Sequence, residues 1–231
     1  GISAVIIPFN SDKEILKRDM LWNIAITVLL LVLIFDGSLS RLDGVILLAG
    51  IAAYLTVVVR SALKNRVEDN SDEKVSVPKA VVFILGGLAA IVFGGDLVVD
   101  NASLIAKSLG MSDTLVGLTI VAIGTSLPEL VTAITSLIKG HSDLSLGNIV
   151  GANVFNLVLV SGVSVALAPF TIPQSNTLFG INSSLVLDLP VMLLVMLIMT
   201  VPALVSGKLK RSQGIILLAI YAAFCVIQFV M

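Results

Sequence analysis

Seven long apolar stretches dominate this chain of 231 residues and constrain its fold more than any other feature. They cover roughly 16–35, 42–60, 78–105, 114–138, 145–168, 188–205 and 213–231. A helix needs about 20 mostly apolar residues to cross the hydrocarbon core of a bilayer. Apolar types make up 57% of the chain and charged types 13%, which leaves too little polar surface for a water-facing globule. We therefore expect an all-α polytopic membrane protein with about seven transmembrane helices surrounded by lipid, and no soluble enzyme.

The charged residues exclude further functions and orient the chain. With 14 Lys and Arg against 15 Asp and Glu there is no basic excess for binding nucleic acid, and one Cys cannot build a thiolate metal site. If all seven stretches cross, 12 basic residues fall on one side and only Arg41 and Lys107 on the other. By the positive-inside rule this predicts a multi-pass protein of the cell membrane, with the 60–79 loop in the cytoplasm and the carboxy terminus outside.

The chain also contains an internal repeat. Residues 36–49 read DGSLSRLDGVILLA and residues 206–219 read SGKLKRSQGIILLA, with 8 of 14 positions identical. Residues 1–9, GISAVIIPF, match residues 162–170, GVSVALAPF, at Gly, Ser, Pro and Phe. The repeat unit contains five helices, an odd number, so its two copies cross the membrane in opposite senses. Such an inverted repeat is typical of secondary transporters.

This repeat divides the chain into three parts. Residues 1–60 correspond to the last two helices of a first copy, 61–77 to a polar cytoplasmic linker, and 78–231 to a complete second copy. Gly1 aligns with Gly162, which falls in the third helix of the complete copy. We therefore expect nearly three further helices upstream, so that this chain is the carboxy-terminal part of a ten-helix protein and those amino-terminal helices are its partner.

The richest polar stretch at membrane depth is 117–129, GLTIVAIGTSLPE. Pro128 has no backbone N–H and blocks the carbonyl of Gly124, four residues back. Gly124 adds flexibility at the same turn. Together they predict a broken helix with freed carbonyls, including that of Ala122.

Hard oxygen donors collect at this break and on the next apolar stretch. Glu129 lies near the middle of its stretch, and Thr125 shares its helix face because the two are four residues apart. Residues 147–156, GNIVGANVFN, add three amides, of which Asn153 and Asn156 share a face. Such oxygens suit Na⁺ or Ca²⁺ and do not suit a soft metal. The candidate ligands are Ala122 (carbonyl), Thr125, Ser126, Glu129, Asn148, Asn153 and Asn156.

Each of these polar residues also has an ordinary structural explanation. Ser and Thr in membrane helices often bond to the carbonyl four residues back, and Asn can join helices without binding an ion. The argument for a site therefore depends on the whole set, with a carboxylate beside proline, two hydroxyls and three amides.

At GLTIVAIGTSLPEL and GNIVGANVFNLVLV the chain resembles the alpha-repeat of the cation/Ca²⁺ exchanger superfamily, and prokaryotic sodium/calcium exchangers in particular. The resemblance places the alpha-repeat at 78–168 and implies that each alpha-repeat supplies half the ligands of central ion sites. Ala152 stands where the family often has Ser, so one hydroxyl is absent here. The ligands implied by motif position are the Ala122 carbonyl, Thr125, Ser126, Glu129, and the positions of Ala152 and Asn156.

The predicted function is a secondary antiporter that exchanges Ca²⁺ for Na⁺ by alternating access, with no enzymatic activity and no cofactor beyond the transported ions. Exchange of Ca²⁺ for H⁺, or of another cation, is the alternative, and a passive channel or a non-transporting membrane subunit is a further one. An intramembrane hydrolase with Ser126 as nucleophile would need a general base within reach. The single histidine, His141, falls in a short cytoplasmic turn.

Overall fold

The chain folds almost entirely into helices in a computed structural model, which describes residues 1–6, 9–10, 13–64, 76–172, 177–178 and 180–230. The helices are α1 (Ile2–Ile6), α2 (Lys13–Leu33), α3 (Arg41–Lys64), α4 (Val77–Ser108), α5 (Asp113–Val116), α6 (Ala122–Thr125), α7 (Leu127–Ile138), α8 (Ser142–Val154), α9 (Ser161–Leu167), α10 (Leu189–Ser206) and α11 (Arg211–Val230). Three π-helical segments are Gly117–Val121, Phe155–Val160 and Ser184–Asp188. Two-residue strands are β1 (Phe9–Asn10), β2 (Ser38–Leu39), β3 (Phe170–Thr171), β4 (Thr177–Leu178), β5 (Ile181–Asn182) and β6 (Lys208–Leu209).

Within the described ranges, 5 helical stretches are long and apolar enough to cross a membrane, and one bent pair raises the number to 6. They are Arg41–Lys64, Val77–Ser108, Ser142–Leu167, Ser184–Ser206 and Arg211–Val230, together with the pair Gly117–Thr125 and Leu127–Ile138. These match six of the seven predicted stretches. The exception is 16–35, which lies in α2. Charges up to Asp19 limit the uncharged part of α2 to 20–33, about 21 Å of helix against about 30 Å of hydrocarbon.

The buried core lies where α2, α3, α8 and α10 meet. Met20, Leu47, Val154 and Ala203, one from each of these helices, are fully buried there. In contrast, α4 has no buried residue within its most apolar window. Apolar side chains on such a helix need no protein partner, because lipid tails are as apolar as leucine. The core is therefore built by the helices behind α4, which lies at its margin.

Two of the strand pairs, β1–β6 and β2–β3, are related to each other by the internal repeat. Phe9 pairs with Leu209 in β1–β6, and Leu39 pairs with Phe170 in β2–β3, both antiparallel. In the sequence repeat, Phe9 aligns with Phe170 and Leu39 aligns with Leu209. Each strand of one copy therefore pairs with the other copy.

The turns before α3 and α11 are equivalent in the same way. Gly37 and Gly207 both have a positive φ, of 80° and 66°, which favours glycine because it has no Cβ. The carboxylate of Asp43 accepts from the amide of Ser40 at 2.7 Å, and the side-chain carbonyl of Gln213 accepts from the amide of Lys210 at 2.9 Å. Both helices thus begin with a side chain that satisfies a free backbone donor.

Two close helix contacts through glycine are also related by the internal repeat. A Cβ on Gly44 of α3 would lie 2.6 Å from the Ala166 nitrogen and 2.9 Å from the Gly162 carbonyl oxygen, both on α9. A Cβ on Gly214 of α11 would lie 2.8 Å from the Gly1 carbonyl oxygen. Because Gly44 aligns with Gly214 and Gly162 with Gly1, the two contacts are repeat-related. Backbone approach at small residues is how membrane helices gain packing energy.

We predict that Gly44→Ala destabilises the protein although alanine favours helices over glycine. The new methyl group meets backbone atoms of α9, which cannot move aside as a flexible side chain can, and such overpacking costs about 1–3 kcal/mol. Gly50→Ala on the same helix is the matched control, since the nearest atoms there are 3.6 and 3.8 Å away. Thermal unfolding in detergent should show a lower Tm for Gly44→Ala, with Gly50→Ala unchanged or higher. Equal Tm values for both variants would contradict the close α3–α9 contact.

Candidate ion-binding site

The predicted helix break is present. Gly117–Thr125 and Leu127–Ile138 meet at an angle of 44°, with Ser126 between them. The amide of Ser126 donates to the carbonyl of Ile123 at 3.1 Å and does not reach Ala122, four residues back. Pro128 supplies no donor for Gly124. The carbonyls of Ala122 and Gly124 therefore both lack the amide that a regular helix would give them.

A close contact with α4 gives Gly124 a role that the sequence did not reveal. Gly124 is buried, and a Cβ there would overlap the Cγ2 methyl of Val99 and lie 3.4 Å from its Cβ. Gly95 lies one turn before Val99, and a Cβ on Gly95 would lie 3.9 Å from the Gly124 carbonyl oxygen. The sequence predicts that Gly124 supplies flexibility, whereas in the structure its lack of a side chain allows α4 to pack beside the break.

The hydroxyls at the break are exposed and oriented. Thr125 Oγ1 donates to the carbonyl of Val121 at 3.0 Å and also lies 3.3 Å from the carbonyl of Ala122. A hydroxyl that spends its hydrogen on a carbonyl keeps its lone pairs for another partner. Ser126 and Ala122 are likewise exposed. The bonding of Thr125 is thus common in membrane helices and is equally compatible with coordinating a cation.

Glu129 lies in the first turn of α7 and is half-buried. Its Oε2 atom is fully buried, with no hydrogen-bond partner among the residues that the structure describes. Leaving a buried acceptor unsatisfied costs about 1–3 kcal/mol, and more when the group is charged. Such an oxygen is a natural position for a bound cation.

The amides on α8 and beyond are not equivalent. Asn148 Nδ2 donates to the main-chain carbonyl of Glu129 at 3.1 Å, which joins α8 to α7. Asn153 is half-buried and Asn156 is exposed. Over the described ranges, no hydrogen bond connects the side chains of Asn153 or Asn156 to Glu129. The structure thus brings Asn148 to Glu129, and leaves the other two amides further along the helix.

Two π-helical segments flank the site, and no pattern in the sequence predicts either of them. Gly117–Val121 leads into α6, and Phe155–Val160 contains Asn156. The hydroxyl of Ser161 donates to the Asn156 carbonyl, five residues back, at 2.9 Å. A π-helical turn changes the pitch and rotates the residues that follow. Asn153 lies before this segment and is half-buried, whereas Asn156 lies inside it and is exposed.

Other polar groups lie apart from the break. The described residues include no group of three or more His, Cys, Asp and Glu side chains that could hold a metal, so a cation here depends on Glu129 and neutral oxygens. His141 follows α7 and Ser126 precedes it, so the length of that helix, about 18 Å, separates them. Where α4 ends and α5 begins, Lys107 Nζ lies 2.7 Å from a carboxylate oxygen of Asp113 and lowers the pKa of that exposed carboxyl.

Comparisons with known proteins agree on one family. The profile of the family described as sodium/calcium exchanger protein matches residues 79–230. The chain is 34% identical to the putative antiporter CaxA of Alkalimonas amylolytica over 235 residues, covering 97% of this chain and 71% of that protein. It is 33% identical to the sodium/calcium exchanger MaX1 of Methanosarcina acetivorans over 151 residues, covering 65% of this chain and 41% of that protein.

A solved structure shows the same fold. A structure of the sodium-calcium exchanger NCX_Mj, soaked with 10 mM Na⁺ and 10 mM Sr²⁺, superposes with a TM-score of 0.74 at 28% identity. The match covers 96% of this chain and 68% of that one. The expected all-helical membrane exchanger fold is therefore confirmed, and the chain corresponds to about two thirds of the solved protein.

We predict that Gly124→Ala displaces α4 and lowers thermal stability, because the new methyl group overlaps Val99 Cγ2. Val99→Ala in the same protein should restore most of the lost Tm, since it removes the methyl groups in the way. Gly147→Ala serves as a control at the same site, because no described atom outside its own helix lies within 4 Å of a Cβ there. A double variant as unstable as Gly124→Ala alone would show that Val99 does not set the constraint.

Proposed function

The chain belongs to the sodium/calcium exchanger protein family, and from this we propose that it supplies an ion-binding half of a secondary antiporter. The antiporter exchanges Ca²⁺ for Na⁺ across the membrane by alternating access. Relatives named as sodium/calcium exchangers or as an antiporter support this activity. The proposed setting is the cell membrane, with the 60–79 loop in the cytoplasm and the carboxy terminus outside.

The observation that carries the proposal is a buried carboxylate oxygen of Glu129, beside a broken helix, with no hydrogen-bond partner in the described part of the chain. One carboxylate cannot hold both cargo ions at once, so Ca²⁺ and Na⁺ compete for it. The neutral oxygens around it add coordination without adding charge, which suits an ion that must leave again. The residues proposed to contact the ions are Ala122 (carbonyl), Thr125, Ser126, Glu129, Asn153 and Asn156.

A second set of ligands completes the site in this proposal. Ca²⁺ takes 6–8 oxygen ligands, usually with more than one carboxylate, whereas the break offers Glu129 alone. The inverted repeat supplies the geometry, because a matching alpha-repeat of opposite sense would place its own break opposite this one. The chain spans 71% of CaxA and 68% of NCX_Mj, which leaves room for such helices in the relatives.

Alternating access requires that ions bind one facing state and stabilise it against the other. A ligand shifts such an equilibrium only by its differential affinity for the two states. An empty site leaves Glu129 uncompensated inside the membrane, which is costly. That cost discourages the empty carrier from changing sides, and so it couples the movement of one ion to the counter-movement of the other.

We predict that Glu129→Gln abolishes Na⁺-driven Ca²⁺ uptake in vesicles. The transport-competent protein used here is this chain together with the matching half proposed above. The amide keeps the shape of the side chain but removes the charge that attracts Ca²⁺. Folding should survive, because an amide is cheaper than a charge at membrane depth and the Asn148 bond uses only the main chain of Glu129. Asp43→Asn is the control: Asp43 is exposed, and an amide oxygen can still accept from Ser40.

The same vesicles separate the alternative functions. A Na⁺ gradient, an H⁺ gradient and no gradient are imposed in turn. Uptake with H⁺ alone would assign a proton-coupled exchanger, and Ca²⁺ flux without any counter-ion gradient would assign a channel. Wild-type uptake by Glu129→Gln would refute the role given to this carboxylate.

We further predict that the 231-residue chain alone does not exchange ions. Two copies cannot substitute for the matching half, because their basic loops would insert both in the same sense. The chain is reconstituted in liposomes and Ca²⁺ uptake is measured under a Na⁺ gradient, with and without co-expressed upstream helices. Robust gradient-dependent uptake by the chain alone would overturn the half-site proposal.

A further inference from the structure

Asn148 contacts the candidate site through its donor end. Its Nδ2 lies 3.1 Å from the main-chain carbonyl oxygen of Glu129. Nitrogen and oxygen of an amide are assigned from their surroundings, and here the choice is forced because two oxygens at this distance would repel. The end of the Asn148 side chain that meets Glu129 is therefore its N–H group. A cation would bind the side-chain oxygen and not this group.

This hydrogen bond joins α8 to α7 at Glu129. Glu129 is in the first turn of α7, three residues after the break at Ser126. The break interrupts the regular helix that would otherwise precede this turn. A carbonyl oxygen has two lone pairs and can accept from Asn148 in addition to its helical partner. The bond therefore fixes the main chain of Glu129 to α8 while leaving its carboxylate unengaged.

We propose that Asn148 is a positioning residue, which sets where the Glu129 carboxylate lies relative to α8 and is not itself an ion ligand. This refines the ligand set read from the sequence, where Asn148 was counted among the donors. It rests on the proposed function, because it concerns the ions that Glu129 binds. Partners that hold a ligand in place typically change metal affinity by about 10–100-fold when they are replaced.

The substitution Asn148→Asp separates the two roles. Aspartate has the same shape but only oxygens, so it loses the donor and repels the Glu129 carbonyl. A positioning role predicts that the half-saturating Ca²⁺ concentration rises by about 10-fold or more. A ligand role predicts that it stays the same or falls, because a carboxylate is a better Ca²⁺ ligand than an amide.

Asn156→Asp is the matched control, with the same chemical change at a residue proposed to contact ions through its side-chain oxygen. It should lower the half-saturating Ca²⁺ concentration, because a carboxylate is a better Ca²⁺ ligand than an amide. Purely structural damage would reduce the amount of folded protein without shifting the half-saturation of what remains. The opposite response of the two aspartate variants is therefore specific to positioning.

Should Asn148→Asp fail to fold, Asn148→Gln and Asn148→Glu replace it. These side chains share their length, but Gln is neutral and carries a donor, whereas Glu is negatively charged and carries none. Positioning predicts that the Gln variant binds Ca²⁺ at least several-fold more tightly than the Glu variant, and a ligand role predicts the reverse order. Equal affinities would also overturn the proposal.

Ca²⁺-dependent thermal stabilisation of the purified, transport-competent protein is measured beside transport, because it reports binding without requiring exchange. If the wild type binds Ca²⁺ but does not exchange it, the proposed function fails while the affinities still decide the role of Asn148. If the wild type exchanges and Asn148→Asp keeps or improves Ca²⁺ affinity, the positioning role fails alone. If the wild type neither binds nor exchanges, both fail.

Discussion

Backbone polar groups inside hydrocarbon must find partners within the protein, and the rest of this structure depends on how the chain meets that requirement. Nearly all of it does so with helices. The break at Ser126 departs from this pattern, because its amide turns to Ile123 and Pro128 offers no donor. Carbonyls left without their usual amide are costly in lipid but useful to a cation, which is why irregular backbone at membrane depth accompanies ion sites in transporters.

Close backbone contacts supply the rigid frame around that break. Gly44 with α9 and Gly214 with Gly1 are the same contact made twice, and the strand pairs β1–β6 and β2–β3 exchange between repeats in the same manner. Each copy of the repeat is thereby held by the other copy. A third glycine, Gly124, admits Val99 of α4 to the broken helix itself, so the exposed helix meets the site at one small residue.

Within this frame the site divides its tasks between side chain and main chain. Among the described residues the Glu129 Oε2 atom has no hydrogen-bond partner, while the Glu129 carbonyl accepts from Asn148 of α8. In the proposed ion site, holding the backbone rather than the carboxylate keeps the charge available to ions and limits where the carboxylate can lie. Thr125 behaves similarly, because its hydrogen is directed at helix carbonyls and its lone pairs stay available. An exchanger benefits from this arrangement, since each ion must bind and then leave.

Much of this could be predicted from the sequence by itself. Length and spacing of apolar stretches determined the helical membrane fold, the repeat determined which segments are equivalent, and Pro128 beside Glu129 determined where a helix breaks and a charge resides. Those features are local, because they depend on composition, covalent geometry and period. Only the tertiary structure decided that Gly124 faces Val99, that Asn148 donates to the Glu129 carbonyl, and that Asn153 is half-buried while Asn156 is exposed. These depend on which helices meet and at what rotation, and packing between distant segments sets both.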